Sequence, residues 1–407
     1  MSENILIASH NWATRTPDER FWDVNEFETT MKDRESRQSE IKTTVQKVTF
    51  IANGDGDDAD LGVQIRTPDG MIAAEMNNLS FTQMARRLEY PTRGLDPELL
   101  SVQTIAQILN ERVERIDPET SLLLLTQMED GGRTTIKSVT SDAYARLNNS
   151  ACVPFLRKII DDWGYRLPPA RPTGMPGERV RIATEEDVLR NNNIGGGASV
   201  EVGDLMAPAG LYGGDEDIFA LMVNDKDMVD QGNGQSLMSG IMIRNSSVGV
   251  GSYTCTTFNM QGICGNHVIW SAENVVDITY RHIGEAVERI YKAMANLVPS
   301  NDQERLDHMR TIMQWMSRNY LGGNATEVIE SVRHSLSRKH PVLTEKLMFM
   351  AYANAEQYRT EDGDPTTYLG MMNALTRFSQ TIPYQNVRKE IDKAASQLLS
   401  LAEKNMA

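Results

Sequence analysis

Apolar residues from about residue 43 to 282 fall largely in short runs of period two, and from Gly284 onward they recur every three or four residues. A strand turns alternate side chains to one side and a helix every third or fourth. This one change of period therefore divides the chain into a strand-rich body and a helical C-terminal third. Ile241 and Ile243, and again Tyr253, Cys255 and Thr257, show the first pattern. Helices are predicted at 284–297, 302–319, 325–337, 342–359, 366–380 and 384–404, and their Met and aromatic stripes read as packing core. Earlier helices are expected at 81–88, 102–116 and 150–162. Strands are expected at 43–51, 61–66, 70–75, 122–127, 134–139, 179–183, 199–203, 218–224, 237–245, 252–261 and 275–282. The fold class is α+β, with a mixed, mainly antiparallel sheet body and an all-helical C-terminal region. The divisions expected are 1–60 (arm and first hairpin), 61–283 (α+β body) and 284–407 (helices).

Turn chemistry supports this parsing. Thr67-Pro68-Asp69-Gly70 and Glu129-Asp130-Gly131-Gly132 close hairpins, Ser80 is the expected cap of the helix at 81, and Pro91 stops it. The first 45 residues are polar, with Trp12, Phe21, Trp22 and Phe27 spaced among charges. Such aromatics dock either on the chain's own body or on a neighbouring subunit.

At 407 residues, 40% of them hydrophobic, the chain has material for more than one core. A formal charge of −15 opposes any whole-surface attraction to nucleic acid or anionic lipid, leaving only a local basic groove. Three cysteines, Cys152, Cys255 and Cys264, make no disulfide framework. The N-terminal residues lack the basic flank and apolar run of a signal peptide, and no stretch reaches membrane-spanning length. The expected location is the cytoplasm of the host cell, without membrane contact and without a cofactor.

Several motifs fall short of the chemistry they suggest. The acidic turn 53–60 lacks the terminal Glu and helical flanks of a calcium loop. The glycine-rich loop 191–197 lacks the Lys-Ser/Thr ending of a phosphate loop. The helix pair around Arg86, Arg87 and Arg93 is joined by too long a connection for helix-turn-helix binding.

The densest polar cluster is Arg244-Asn245, Tyr253, Cys264, Asn266-His267 and Arg281-His282. Cys264, His267 and His282 are the candidate catalytic residues, since a thiol beside imidazoles supports nucleophilic chemistry. With Cys255 they also have the ligand types for zinc, but not its paired spacing, so no metal site is assigned. Two basic stretches suit phosphate binding. One is Arg146, Arg157, Lys158, Arg166 and Arg171, beside Trp163 and Tyr165. The other is Arg333, Arg338 and Lys339 at a helix end, and Arg244 and Arg281 add to the set. Guanidinium groups interleaved with rings suit single strands, where phosphates pair and bases stack. Ordinary alternatives are a solvated helix face for the first stretch and helix-dipole compensation for the second.

The segment SVTSDAYARLNN at 138–149, carrying Ser141, Asp142, Tyr144, Leu147 and Asn149, follows a helix pair at 80–116. A second block spans 239–270, a third is Tyr280-Arg281-His282, and a fourth is GMMNALTRFSQ at 370–380. In this order and spacing the chain resembles the phage and plasmid-like family catalogued as domain of unknown function 932. Cys264-Gly265-Asn266 departs from the commoner Cys-Thr/Gln-Asn of similar proteins. The resemblance implies a phage, prophage or plasmid setting and supplies no activity. The first expectation is thus an accessory, non-enzymatic protein that binds nucleic acid as a homo-oligomer, in recombination, annealing or anti-defence. The alternatives are a Cys/His-based or metal-dependent enzyme and an anti-defence factor that binds a host protein.

Overall fold

The computed structural model describes residues 16–53, 60–95, 99–172, 179–193, 200–226, 228–230, 236–261, 269–270, 277–280, 292, 302–336, 340–341, 343–380 and 385–406. The chain is α+β, with mainly antiparallel sheets followed by helices. It opens with a helix in the polar arm, α1 (Val24–Ser36). Asp23 caps it by accepting from the N–H groups of Asn25 and Glu26, and Glu26 reaches back to the Trp22 N–H at 2.9 Å. Only Val24, Phe27 and Met31 are buried, a stripe too narrow to show as an amphipathic period. Phe21 and Phe27 meet edge to face at 5.3 Å and are fully buried on the chain's own body. Trp12 lies outside the described residues.

Six strands form the first sheet: β1 (Gln38–Thr44), β2 (Val48–Asn53), β3 (Asp60–Thr67), β4 (Gly70–Met76), β5 (Ser121–Met128) and β6 (Thr134–Thr140). Their order is β1-β5-β6-β4-β3-β2, antiparallel except for the parallel pair β4–β6. β1 and β2 thus lie at opposite edges, although only Val45–Lys47 separates them. In a flat sheet these edges would be roughly 24 Å apart, five spacings of about 4.8 Å. The link reaches at most roughly 14 Å. The sheet must curl until its two edges approach. Its inner face, including Phe50, Ile65, Leu124 and Ile136, closes on Met84 of α2 (Asn78–Arg87), on Leu88 that ends it, and on Ile105 and Leu109 of α3 (Val102–Arg115). The cap of α2 is Asn77, not Ser80: Asn77 Oδ1 accepts from the Ser80 N–H at 2.8 Å, and Ser80 is fully buried.

After the first sheet comes α4 (Val153–Trp163), ended by Gly164 in the left-handed conformation at φ 71°. Three short strands, β7 (Arg171–Pro172), β8 (Arg181–Ile182) and β9 (Leu205–Ala207), form a small sheet in the order β7-β9-β8. The strand expected at 199–203 is displaced to β9. A helix not read from the sequence, α5 (Glu185–Asn193), starts on a reciprocal pair: Asp187 Oδ2 accepts from the Thr184 N–H at 2.8 Å, and Thr184 Oγ1 accepts from the Asp187 N–H at 3.3 Å.

The second large sheet is antiparallel. It contains β10 (Leu211–Gly213), β11 (Ile218–Val223), β12 (Val229–Asp230), β13 (Ser236–Asn245), β14 (Tyr253–Gln261), β15 (Ile269–Trp270) and β16 (Asp277–Tyr280). One face, with Ile218, Met222, Ile241, Ile243, Tyr253 and Cys255, packs on α1 and α4. The other carries Phe219, Leu221, Met238, Met242 and Phe258. Gly240 lies opposite Phe258, whose ring would stand 2.2 Å from an added Cβ, so the strand needs a glycine there.

The C-terminal region is helical: α6 (Asp302–Arg318), α7 (Ala325–Leu336), α8 (Glu345–Gln357), α9 (Tyr368–Gln380) and α10 (Gln385–Met406). Met309, Met313, Met316, Met348, Met371 and Met372 are buried in its core, while Phe349 and Met350 stay exposed. The helix expected at 284–297 lies outside the described residues except for Lys292. No described helix is long and apolar enough to cross a membrane.

Candidate functional site

Between β6 and α4 the chain runs back across the outer face of the first sheet. The register sets that face: Glu40 and Lys42 of β1 stand opposite Leu125 and Leu123 of β5, which stand opposite Ser138 and Thr140 of β6. The returning segment carries Asp142, Tyr144 and Arg146, and a cleft of about 550 Å³ remains between it, the end of α1 at Glu35, and the sheet. Leu123 and Leu125 give the cleft an apolar floor under charged walls.

Arg146 is the pivot of the wall, with a side chain only 6% exposed. Its Nε donates to Glu40 Oε1 at 2.6 Å, and Nη1 donates to the Ser247 carbonyl. Tyr144 donates its hydroxyl to the Ser246 carbonyl at 3.0 Å, and its ring lies 5.5 Å from the Arg146 guanidinium. Asn245 Nδ2 completes the clamp, donating to the Leu147 carbonyl at 3.0 Å and to Asn149 Oδ1 at 2.8 Å. The segment therefore holds the turn between β13 and β14. Burial pushes the Tyr144 phenol up to about 12, despite Arg146, so it remains a donor at neutral pH. Gln83 of α2 ties the same turn to the first sheet, donating to the Val248 carbonyl at 2.8 Å and accepting from the Val139 N–H at 2.7 Å.

The remaining charges are less committed. Glu35 accepts from the Ser150 N–H at 2.8 Å and from the Ser150 hydroxyl, both neutral donors. Asp142 and Lys42 are exposed and have no hydrogen-bonding or ionic partner among the described residues. Glu35, Glu40 and Lys42 were not singled out from the sequence. They come from a polar helix end and an edge strand with one apolar residue in the middle, which carry no motif.

The described members of the basic set are spread over the molecule. Each is within ion-pair distance of a carboxylate. Arg157 pairs with Glu28 at 2.6 Å and Lys158 with Asp162 at 3.9 Å; Arg166 meets Asp225 at 2.7 Å, Arg244 meets Asp217 at 3.5 Å, and Arg333 meets Glu345 at 2.9 Å. Arg171 contributes backbone to β7, and its side chain lies outside the described residues. Cys264, His267, Arg281, His282, Arg338 and Lys339 also lie outside them. The second sheet separates what remains of the polar cluster: Arg244 projects from the face of Phe219, while Tyr253 and Cys255 are core residues of the opposite face. Cys152 is wholly buried, and burial raises its thiol far above the usual range, so it is not poised as a nucleophile. Among the described residues no group of three or more His, Cys, Asp or Glu is arranged to hold a metal ion.

The family model described as Domain of unknown function (DUF932) matches residues 173–398, more than half of the chain. The chain belongs to this family. No curated protein and no solved structure matches it. In this DUF932 protein the matched stretch begins in the small sheet and takes in the second large sheet and the helices through most of α10. The resembling blocks at 239–270, 280–282 and 370–380 fall inside it. Those at 80–116 and 138–149 fall outside it, as does the whole lining of the cleft. The clamp on Ser246 and Ser247 nevertheless joins the block at 138–149 to the block at 239–270.

Proposed function

We propose that this DUF932 protein acts as a binding protein that receives a cationic group, an ammonium or guanidinium, in the cleft beside β1. The observation that carries this reading is the charge balance of the lining. Three carboxylates, Glu35, Glu40 and Asp142, stand over an apolar floor against two cations; Arg146 is taken up by Glu40 and the Ser247 carbonyl, which leaves Glu35 and Asp142 facing the Lys42 ammonium alone. A volume of about 550 Å³ is within the range that small ligands and single anchoring side chains occupy. A net charge of −15 draws cations toward the protein at low salt. This keeps the accessory, non-enzymatic role expected from the sequence and changes its ligand.

The cation has two sources, a free polyamine or the Lys and Arg side chains of a partner. Calorimetric titration with spermidine and with an arginine-rich peptide separates them. Binding of either probe, weakened about tenfold by Asp142→Asn, is the expected result. If neither cation binds at millimolar concentration while a labelled single-stranded oligonucleotide binds with salt-dependent affinity, the cleft reading fails. The phosphate-binding reading of Arg157 and Lys158 then replaces it.

A further inference from the structure

The two edges of the first sheet are treated differently. On β2 the Phe50 N–H donates to Asn110 Oδ1 at 2.9 Å and Asn110 Nδ2 donates to the Phe50 carbonyl at 2.8 Å, so α3 caps that edge. β1 has no such cap. Just beyond its two ends the Met128 N–H donates to the Arg37 carbonyl at 2.9 Å and the Val45 N–H donates to the Thr120 carbonyl at 3.0 Å. Antiparallel pairing alternates, so the odd-numbered residues of β1 bond to β5. Gln38, Glu40 and Lys42 therefore turn their N–H and carbonyl groups outward, and Thr44 its N–H, while the Thr44 carbonyl starts the 3-10 turn at Val45–Lys47. No described residue bonds to the outward groups, and Glu40 and Lys42 are exposed.

We propose that this edge joins β1 of a second copy of the chain, antiparallel, about a two-fold axis at Ile41. The residues themselves select this occupant and register. With Ile41 facing Ile41 of the second copy, every outward residue meets an outward residue: Gln38 faces Thr44, and Glu40 faces Lys42, twice by symmetry. A shift by two residues either way centres the axis on Glu40 or on Lys42 and sets like charges opposite each other, which is unfavourable. The self-complementary register is isologous, as a two-fold dimer requires, and it joins two six-stranded sheets into one of twelve strands. It also sets Lys42 of one copy beside Glu40 of the other at the mouth of each cleft. This inference is independent of what the cleft binds, because its readout is the mass of the particle.

Sedimentation equilibrium of the full chain over a micromolar concentration series tests it. The expected result is a dimer. Lys42→Glu places glutamates opposite each other at both symmetric positions and weakens the dimer by about tenfold or more. Lys42→Pro removes an outward N–H that β5 does not use, so it gives a monomer with an unchanged far-ultraviolet spectrum. A wild-type chain that sediments as a monomer throughout overturns the proposal: Glu40 and Lys42 then serve to keep the edge unpaired. A dimer whose dissociation constant neither variant alters overturns it as well.

Discussion

Asp225 shows how little of an arginine's role can be read from its neighbours in the chain. Its carboxylate is 4% exposed and receives two guanidinium groups, Arg166 on Oδ1 at 2.7 and 3.0 Å and Arg190 on Oδ2 at 2.7 and 3.1 Å. Hydrogen bonds of this kind are strong because donor and acceptor are both ionised. Asp225→Ala leaves two partly buried cations without their anion, and urea denaturation is expected to show a loss of about 3 kcal/mol. Arg166, expected at a phosphate from its place beside Tyr165, meets a carboxylate 59 positions away in the chain. Asp187 gives a pH signature. Burial works against its ionisation, but the Arg181 guanidinium and the Thr184 N–H and hydroxyl outweigh burial and hold the carboxyl at about 2. A folded-state value below the unfolded one means stability present above about pH 4 and lost as pH falls toward 2. The contribution is about 2 kcal/mol. Melting curves of the wild type and Asp187→Asn between pH 2 and 6 are expected to converge at the acid end.

Elements with a wide apolar period were legible, and those held by few residues were not. Helices α6 to α10 lie within a few residues of their predicted bounds because each buries a broad stripe in a shared core. α1 and α5 went unread. Their apolar residues are sparse, and the only signals were the caps at Asp23 and Thr184 with acids three residues on. The strand expected at 43–51 is in fact two strands, because Val45–Lys47 turns the chain from one edge of the sheet to the other. The cap on β2 is testable at this scale. Asn110→Ala removes the partners of both Phe50 backbone groups, in a residue that is 2% exposed. A loss of about 2 kcal/mol is expected by chemical denaturation, together with faster amide exchange at Phe50. Stability unchanged in this variant would mean that water satisfies the edge equally well.

Across the whole molecule the sequence by itself determined the class of fold, the change from strands to helices, the family resemblance and the sign of the surface charge. Each of these depends on composition, on residues close together in the chain, or on motif order. Tertiary structure alone decided how the strands order into sheets, since a pairing such as β1 with β5 joins residues more than 75 positions apart. It also decided which charged groups stay unpaired among the described residues. Arg157, Arg166 and Arg244 face carboxylates brought to them by other elements, whereas Lys42 and Asp142 have no partner among the described residues and stand beside a cleft no motif announces. The physical reason is the same in both cases. Secondary structure follows from the local period of apolar residues, but a site is a meeting of side chains, and the path of the folded backbone decides which ones meet.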